Sequence, residues 1–340
     1  MKGTLVGSPW VRILMALGLG LTLIWILWTE RRPEHEAWLR GEAQAQLQSW
    51  FPETMRPKGS ELGFVPEISA ASDQLLIVLI HGLDEPGGIF DPLSTALEAG
   101  GYAHHRFLYP NDQSIAESTD LLARYWGELS ENQSVVLLGH SMGGLLIRDF
   151  ITRSLPELGP DAASVAAALL IGTPNQGSEW ARLRVWLELR DLIGSESIDD
   201  FGLFAGLRDG TGAAKIDLRP GSRFLEDLNR RPWPDEIPLR LLGGEIRFDG
   251  EQGQAGLQAL EKRTGDSDWS RRFASWLNDT TAQLGDGVVA VESLPAPGAP
   301  APDMVTASHR GLLRAGPLTE GEPPGINWTL HQLEALGLEP

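Results

Sequence analysis

Six short apolar runs, separated by segments with helical periodicity, constrain the fold of this 340-residue chain more than any other feature. Two of them, LLIVLI at 75–80 and SVVLLG at 134–139, are uninterrupted and contain β-branched residues. Strands that are apolar throughout are typical of parallel sheets covered by helices on both faces. The other four runs lie at 104–110, 164–172, 238–244 and 304–308. The alternation predicts an α/β fold with a mostly parallel sheet of about six strands.

The run at 134–139 leads directly into the sequence GHSMG, residues 139–143, which matches the pattern G-x-S-x-G. A serine in a sharp turn between a strand and a helix has a strained backbone and an exposed hydroxyl. The residues two before and two after that serine approach it closely, so both positions favour glycine. The N-terminus of the following helix points at the serine and can stabilise negative charge. Ser141 is therefore the predicted nucleophile.

Composition excludes several classes of function. The net charge of −18 repels the phosphates of a nucleic acid, so we expect no nucleic-acid partner. The absence of cysteine excludes disulfides, thiolate metal ligands and a cysteine nucleophile. The seven histidines show no zinc-binding spacing with carboxylates. We therefore predict neither a metal nor a cofactor.

The N-terminal region is predicted to lie outside the folded domain. Residues 1–10 form a short tail, and residues 11–28, VRILMALGLGLTLIWILW, are apolar enough for one membrane crossing. The alternative, a cleaved signal peptide, lacks a small-residue cleavage site. Residues 29–66 are first helix-prone and then broken by proline and glycine, which predicts a stalk. We expect a single-pass N-terminal anchor in a bacterial inner membrane, and the flanking positive charges leave the side of the domain undecided.

Several motifs, in order along the chain, resemble those of lipases and esterases with the α/β-hydrolase fold. The motifs are VLIHGL at 78–83, GHSMGG at 139–144, LIGTPNQGS at 170–178, DLRPGSRFLEDLN at 217–229, GDGVVAVES at 285–293 and ASHRGLL at 307–313. The third resembles the GTPHxGS segment of bacterial triacylglycerol lipases, although Asn175 replaces the histidine. The fourth is similar to a segment of lipase-like hydrolases related to GPI inositol-deacylases. The resemblance spans about residues 75 to 315 and implies a trimmed core without the first two strands of the complete fold.

The resemblance also implies a catalytic triad in the order serine, acid, histidine. His309 is the predicted base because it directly follows the last apolar run, whereas His331 lies in a predicted helix. Asp286 is the predicted acid, since it opens a tight turn into an apolar segment 23 residues before His309. Glu245 and Asp249 remain rivals, because they follow the fifth apolar run, where the acid usually stands.

The remaining predictions concern the oxyanion hole and two insertions. The backbone N–H groups of Leu83, after the His-Gly pair, and of Met142, after the nucleophile, are expected to form the hole. Within a hydrolase domain of residues 67–340, a helical cap or lid is predicted at 178–235 and a second, polar insertion at 247–285.

Together these features predict a membrane-anchored serine hydrolase. Its substrate would be a carboxylic ester, of a lipid or another acyl compound, cleaved through an acyl-enzyme. A lipid acyltransferase or a thioesterase could use the same triad. A non-catalytic scaffold of the same fold is a third possibility, against which the presence of all the triad residues argues.

Overall fold

The computed structural model describes residues 28, 31–50, 62–68, 74–83, 88–179, 213–246, 272, 285–315 and 321–340. The chain divides into two compact units, Met1–Arg56 and Pro57–Pro340. In the first unit, helix α1 spans Pro33–Trp50, within the helix-prone part of the predicted stalk. The predicted membrane segment 11–28 lies outside the described residues except for Trp28. None of the helices in the described ranges is long and apolar enough to cross a bilayer.

The second unit is built on a seven-stranded sheet with the order β1-β3-β2-β4-β5-β6-β7. The strands are β1 (Gly63–Ile68), β2 (Leu75–Ile80), β3 (Ala103–Leu108), β4 (Ser134–His140), β5 (Ser164–Ile171), β6 (Leu239–Glu245) and β7 (Asp303–Thr306). All neighbouring strands are parallel except β1 and β3, which are antiparallel. Each of the six apolar runs overlaps one of the strands β2 to β7, which confirms the predicted sheet.

Strand β1 corrects the prediction at its N-terminal boundary. It begins at Gly63, inside the segment predicted as a stalk, and adds an antiparallel edge where the resemblance implied none. The sequence does not predict this strand, because it contains Gly63 and Pro66 and both residue types are rare in the interior of a sheet. At an edge, proline is tolerated because the strand needs hydrogen bonds on one side only. The sheet therefore begins before residue 67.

Helices cover both faces of the sheet, as the apolar strands predicted. They are α2 (Asp91–Ala99), α3 (Ile115–Trp126), α4 (Met142–Asp149), α5 (Ala213–Asp217), α6 (Arg223–Arg230) and α7 (Pro324–Ala335). Alternate residues of a strand face opposite sides. Val78 and Ile80 of β2 accordingly belong to a core cluster shared with α3, α4 and α6, whereas Ile77 and Leu79 belong to one shared with α2 and α7.

The described part of the predicted cap belongs to the packed core. Ala214 of α5 and Leu225 and Leu228 of α6 are buried in the same cluster as strand β4. Residues 180–212 of the predicted cap lie outside the described residues. The second predicted insertion, 247–285, also lies outside them apart from Arg272 and Gly285.

Candidate active site

Ser141 lies in the turn between β4 and α4, with a backbone conformation that side chains rarely adopt. Its φ is 55° and its ψ is −127°, and no other non-glycine residue in the described ranges has a positive φ. Such a conformation costs on the order of 1–3 kcal/mol and persists only where the surroundings enforce it. The N–H of Ser141 donates to the carbonyl oxygen of Ile171 at 2.9 Å, which ties the turn to the end of β5.

The glycines on both sides of Ser141 are required by close backbone approach. A Cβ atom on Gly139 would lie 2.6 Å from the nitrogen of Gly144. A Cβ atom on Gly143 would overlap the carbonyl oxygen of Ile80. Both neighbours are backbone atoms and cannot move aside as a flexible side chain could. Glycine is therefore required at both positions, as the pattern G-x-S-x-G predicted.

Asp286 and His309 form a hydrogen-bonded pair beyond the ends of β6 and β7. Nδ1 of His309 lies 2.7 Å from Oδ2 of Asp286. The other carboxylate oxygen, Oδ1, accepts from the N–H groups of Val288 at 2.9 Å and Val289 at 2.7 Å. The N–H of His309 also donates to the main-chain oxygen of Asp286 at 2.9 Å. Because an ionised carboxylate can only accept, the proton of a neutral His309 stands on Nδ1, which leaves Nε2 free to act as a base.

The ring of His309 lies beside the serine turn. Its centroid is 4.7 Å from that of His140, the residue before Ser141. A Cβ atom on Gly172, at the end of β5, would lie 3.3 Å from its ring atom Cε1. The structure thus brings the acid and the histidine into contact and places the histidine next to the turn. No hydrogen bond joins Ser141 to His309 within the described residues, as is common for catalytic groups without a substrate.

Glu245 is the one rival residue that lies within the described ranges. Glu245 ends β6, and its main-chain oxygen accepts from the N–H of Ala307, in the loop that leads to His309. Asp249 lies outside the described residues. Among the carboxylates in the described ranges, only Asp286 is hydrogen-bonded to His309. His331 is exposed on α7.

The two N–H groups predicted for the oxyanion hole belong to residues next to the serine or to a neighbour of it. Met142 is the first residue of α4, so its N–H has no partner within the helix. Leu83 follows Gly82, where a Cβ atom would lie only 2.8 Å from Cβ of Ser141. In the part of the chain that the structure describes, neither N–H has a hydrogen-bond partner.

Two more histidines at the site are buried. Burial lowers the pKa of His81 to about 4. Burial, together with the neighbouring His309, lowers the pKa of His140 to about 3. Both rings are therefore neutral at neutral pH and add no positive charge beside His309. His140 turns its Nε2 toward the main-chain oxygen of His309, at 3.1 Å.

A buried polar network behind the serine turn was not predicted. Arg148 of α4 is only 3% exposed, and it donates to Oδ1 of Asn175 at 3.1 Å and to Oδ1 of Asn229 at 2.9 Å. Burial, and secondarily the charge of Arg231, lowers the pKa of Arg148 to about 10. Asn175 stands where the resembled lipases have histidine, and its amide accepts from this arginine. The available signal was the charged pair Arg148 and Asp149 within the otherwise apolar helix sequence GGLLIRDF.

The same fold occurs in solved structures of bacterial lipases and esterases. A lipase of Bacillus licheniformis in its mature form matches with a TM-score of 0.54 and 17% identity, over 82% of this chain and 99% of that chain. A carboxyl esterase of metagenomic origin matches with a TM-score of 0.51 and 17% identity, over 83% of this chain and 78% of that chain. No protein-family model and no curated protein matches the chain. The chain therefore has the α/β-hydrolase fold that its motifs predicted.

Proposed function

We propose that this chain is a serine hydrolase that cleaves carboxylic esters, with Ser141, His309 and Asp286 as its triad. The observation that supports this most is the hydrogen bond between Asp286 and His309, next to a serine with a positive φ. Backbone strain concentrates at functional sites, because folding alone gives no reason to keep it. Two of the similar structures with TM-scores above 0.5 are named a lipase and a carboxyl esterase, which favours an ester substrate.

The reaction follows from the placement of the protons. Nε2 of His309 takes the hydroxyl proton of Ser141 while Oγ of Ser141 bonds to the carbonyl carbon of the ester. The resulting imidazolium gives that proton to the departing alcohol, which leaves an acyl group on Ser141. The same nitrogen then deprotonates a water molecule as its oxygen bonds to the acyl carbon, and it returns the proton to Oγ of Ser141 as the bond between Oγ and the acyl carbon breaks. Asp286 keeps the proton of the resting imidazole on Nδ1 and stabilises the imidazolium.

The tetrahedral intermediates carry a negative oxygen, which needs donors in place before the reaction begins. The N–H groups of Leu83 and Met142 are the proposed donors, supported by the N-terminus of α4.

We further propose, from sequence alone, that residues 11–28 anchor the domain to a membrane. Every proposed catalytic residue lies after residue 75, so the chemistry does not require the anchor. Removal of residues 1–30 should leave a soluble protein that hydrolyses short-chain esters. A truncated protein with a native circular-dichroism spectrum but no esterase activity would contradict this independence.

A fluorophosphonate probe tests the proposed nucleophile directly. The wild-type protein should be labelled on Ser141 and should hydrolyse p-nitrophenyl esters, whereas Ser141→Ala should lose both properties and keep its fold. The loss of turnover should be on the order of 10⁴- to 10⁶-fold. Ser164→Ala is the matched control, because Ser164 begins β5 at the opposite end of the sheet.

Each outcome separates the candidate functions. A Ser141→Ala variant that keeps more than about a tenth of wild-type turnover would exclude Ser141 as the nucleophile. A folded wild-type protein that the probe does not label would favour the non-catalytic scaffold. Labelling with hydrolysis of thioesters but not of oxygen esters would favour a thioesterase.

A further inference from the structure

Side chains hold two consecutive carbonyl groups in the loop after β2. The carbonyl oxygen of Gly82 lies 2.9 Å from Nδ1 of His81 and 3.4 Å from Nδ2 of Asn111. The carbonyl oxygen of His81 accepts from the hydroxyl of Tyr109 at 2.6 Å. A carbonyl oxygen only accepts, so Nδ1 of His81 carries the proton in this contact. The loop that precedes the proposed oxyanion donor is therefore held by three side chains.

These contacts set the direction of the N–H of Leu83. The described residues contain no cis peptide bond. In a trans peptide, the carbonyl oxygen of one residue and the N–H of the next point in opposite directions. The donors on the carbonyl oxygen of Gly82 therefore orient the N–H of Leu83 away from His81 and Asn111.

The presence of glycine at position 82 makes these orienting contacts necessary. A side chain is excluded there, because its Cβ atom would lie 2.8 Å from Cβ of Ser141. Glycine, however, lets the following peptide rotate more easily than any other residue would. A rotated peptide would replace the N–H of Leu83 by the carbonyl oxygen of Gly82. That oxygen would repel the negative charge that the site has to stabilise.

We propose that His81 and Asn111 are positioning residues that hold the Gly82–Leu83 peptide with its N–H available to the oxyanion. The inference rests on the proposed function. It adds the side chains that keep the N–H of Leu83 in place to stabilise the negative oxygen of the intermediate. Tyr109 supports His81 in two ways. Its hydroxyl binds the carbonyl oxygen of His81, and its ring stacks on the imidazole with a centroid distance of 4.4 Å and an interplanar angle of 18°.

Two substitutions at position 81 separate the hydrogen bond from the packing. His81→Phe keeps an aromatic ring for Tyr109 but removes the donor. His81→Asn removes the ring but keeps an N–H donor. The nitrogen Nδ2 of asparagine is bonded to Cγ, as Nδ1 of histidine is, so it can reach the same carbonyl oxygen. Removal of an oxyanion donor itself costs about 100- to 1,000-fold in kcat, so loss of its support should cost about 10- to 100-fold. We expect that loss for His81→Phe at an unchanged KM, and at least a fivefold recovery of kcat in His81→Asn.

A second pair of variants tests the other donor and keeps the inference falsifiable if His81→Phe does not fold. Asn111→Asp replaces the amide donor by a carboxylate of the same shape that faces a carbonyl oxygen. It should lower kcat about three- to tenfold at an unchanged KM. Gln113→Glu is the matched control: it removes an amide donor from the same loop, but one that binds Oγ of Ser118.

Two further measurements distinguish positioning from a general loss of structure. Titration with the fluorophosphonate probe counts intact sites, so kcat refers to folded enzyme only. The affinity for an aryl boronic acid, which forms a tetrahedral adduct with the serine, should fall by the same factor as kcat. An unchanged kcat in both His81→Phe and Asn111→Asp would overturn the inference, and so would a loss that appears only in KM. A wild-type protein without esterase activity would instead refute the proposed function.

Discussion

The serine turn and the acid–histidine pair stand at the same edge of the sheet, but they are built in different ways. The turn consists of consecutive residues, 139–144, and its shape follows from which of them lack a Cβ atom. The pair joins two loops whose residues are 23 positions apart, and hydrogen bonds to both carboxylate oxygens hold it. The turn is therefore sensitive to added volume, and the pair to the loss of a donor or an acceptor.

Substitutions in the serine turn and in the acid–histidine pair should therefore have different consequences. A strained turn cannot relax without moving β4 or α4, so a steric error there affects the whole fold. A side-chain pair at the ends of loops can lose one hydrogen bond while the sheet stays intact. We expect a side chain added at a glycine of the turn to affect folding, and substitutions in the pair to affect catalysis alone.

Gly143→Ala should have the largest effect. Its Cβ atom would overlap the carbonyl oxygen of Ile80, so we expect no folded, probe-reactive protein. Thermal melting by circular dichroism and the soluble yield measure this. Gly127→Ala is the control, because nothing lies within 4 Å of a Cβ atom there and its φ is −67°. A Gly143→Ala variant that melts within a few degrees of the wild type would contradict the steric account.

Asp286→Asn should come next, with a loss of about 10³- to 10⁴-fold in kcat and an unchanged melting curve. The amide can present an N–H to His309 and so favour the wrong tautomer of the imidazole. Glu245→Gln and Asp249→Asn should cost less than about tenfold each. If either of these rivals lowered kcat as much as Asp286→Asn, the assignment of the acid would be wrong.

His140→Leu should have a smaller effect, about tenfold in kcat. The substitution removes the hydrogen bond from Nε2 to the main-chain oxygen of His309 and so loosens the loop that carries the base. His331→Leu is the matched control, since that histidine is exposed on α7. Equal kinetics of His140→Leu and the wild type would show that the loop does not depend on this bond.

Asp217→Asn should change stability and not catalysis. Desolvation is the main cause that raises the pKa of Asp217 to about 6, partly offset by the hydrogen bond that its carboxylate accepts from the N–H of Ile115. The folded state therefore binds a proton more tightly than the unfolded state between about pH 4 and 6. Ionised Asp217 destabilises the fold above that range, and the neutral amide avoids this cost. The variant should gain about 1–2 kcal/mol at pH 7.

The pH dependence of that gain is the measurement. Denaturant unfolding should show the advantage of Asp217→Asn at pH 7, and the advantage should shrink as the pH falls through 6 toward 4. The buried, neutral His81 acts in the opposite sense, because its pKa is lowered to about 4. The stability that it contributes is complete above its unfolded pKa of about 6.5 and declines as the pH falls toward 4. A gain for Asp217→Asn that grows toward pH 4 would contradict the assignment.

Much of the fold could be predicted because fully buried strands have a distinctive composition. The runs that contain β2 and β4 are almost entirely apolar, and both became central strands. Strand β1 could not be predicted from GFVPEI, since its pairing with β3 depends on a partner some 40 positions away. The network around Arg148 was missed for the same reason: its amide partners, Asn175 and Asn229, are distant in sequence and neutral.

The sequence by itself determined the serine turn, because the whole pattern, an apolar run followed by G-x-S-x-G and a helix, lies in consecutive residues, although Ile80 of β2 and Ile171 of β5 also contact the turn. Only the tertiary structure decided which carboxylate contacts His309. Asp286, Glu245 and Asp249 all suit an acid by residue type, and no local pattern states which side chain reaches the imidazole. Parallel strands end at the same edge of the sheet whatever chain lies between them, and there the loop of Asp286, not the end of β6, meets His309.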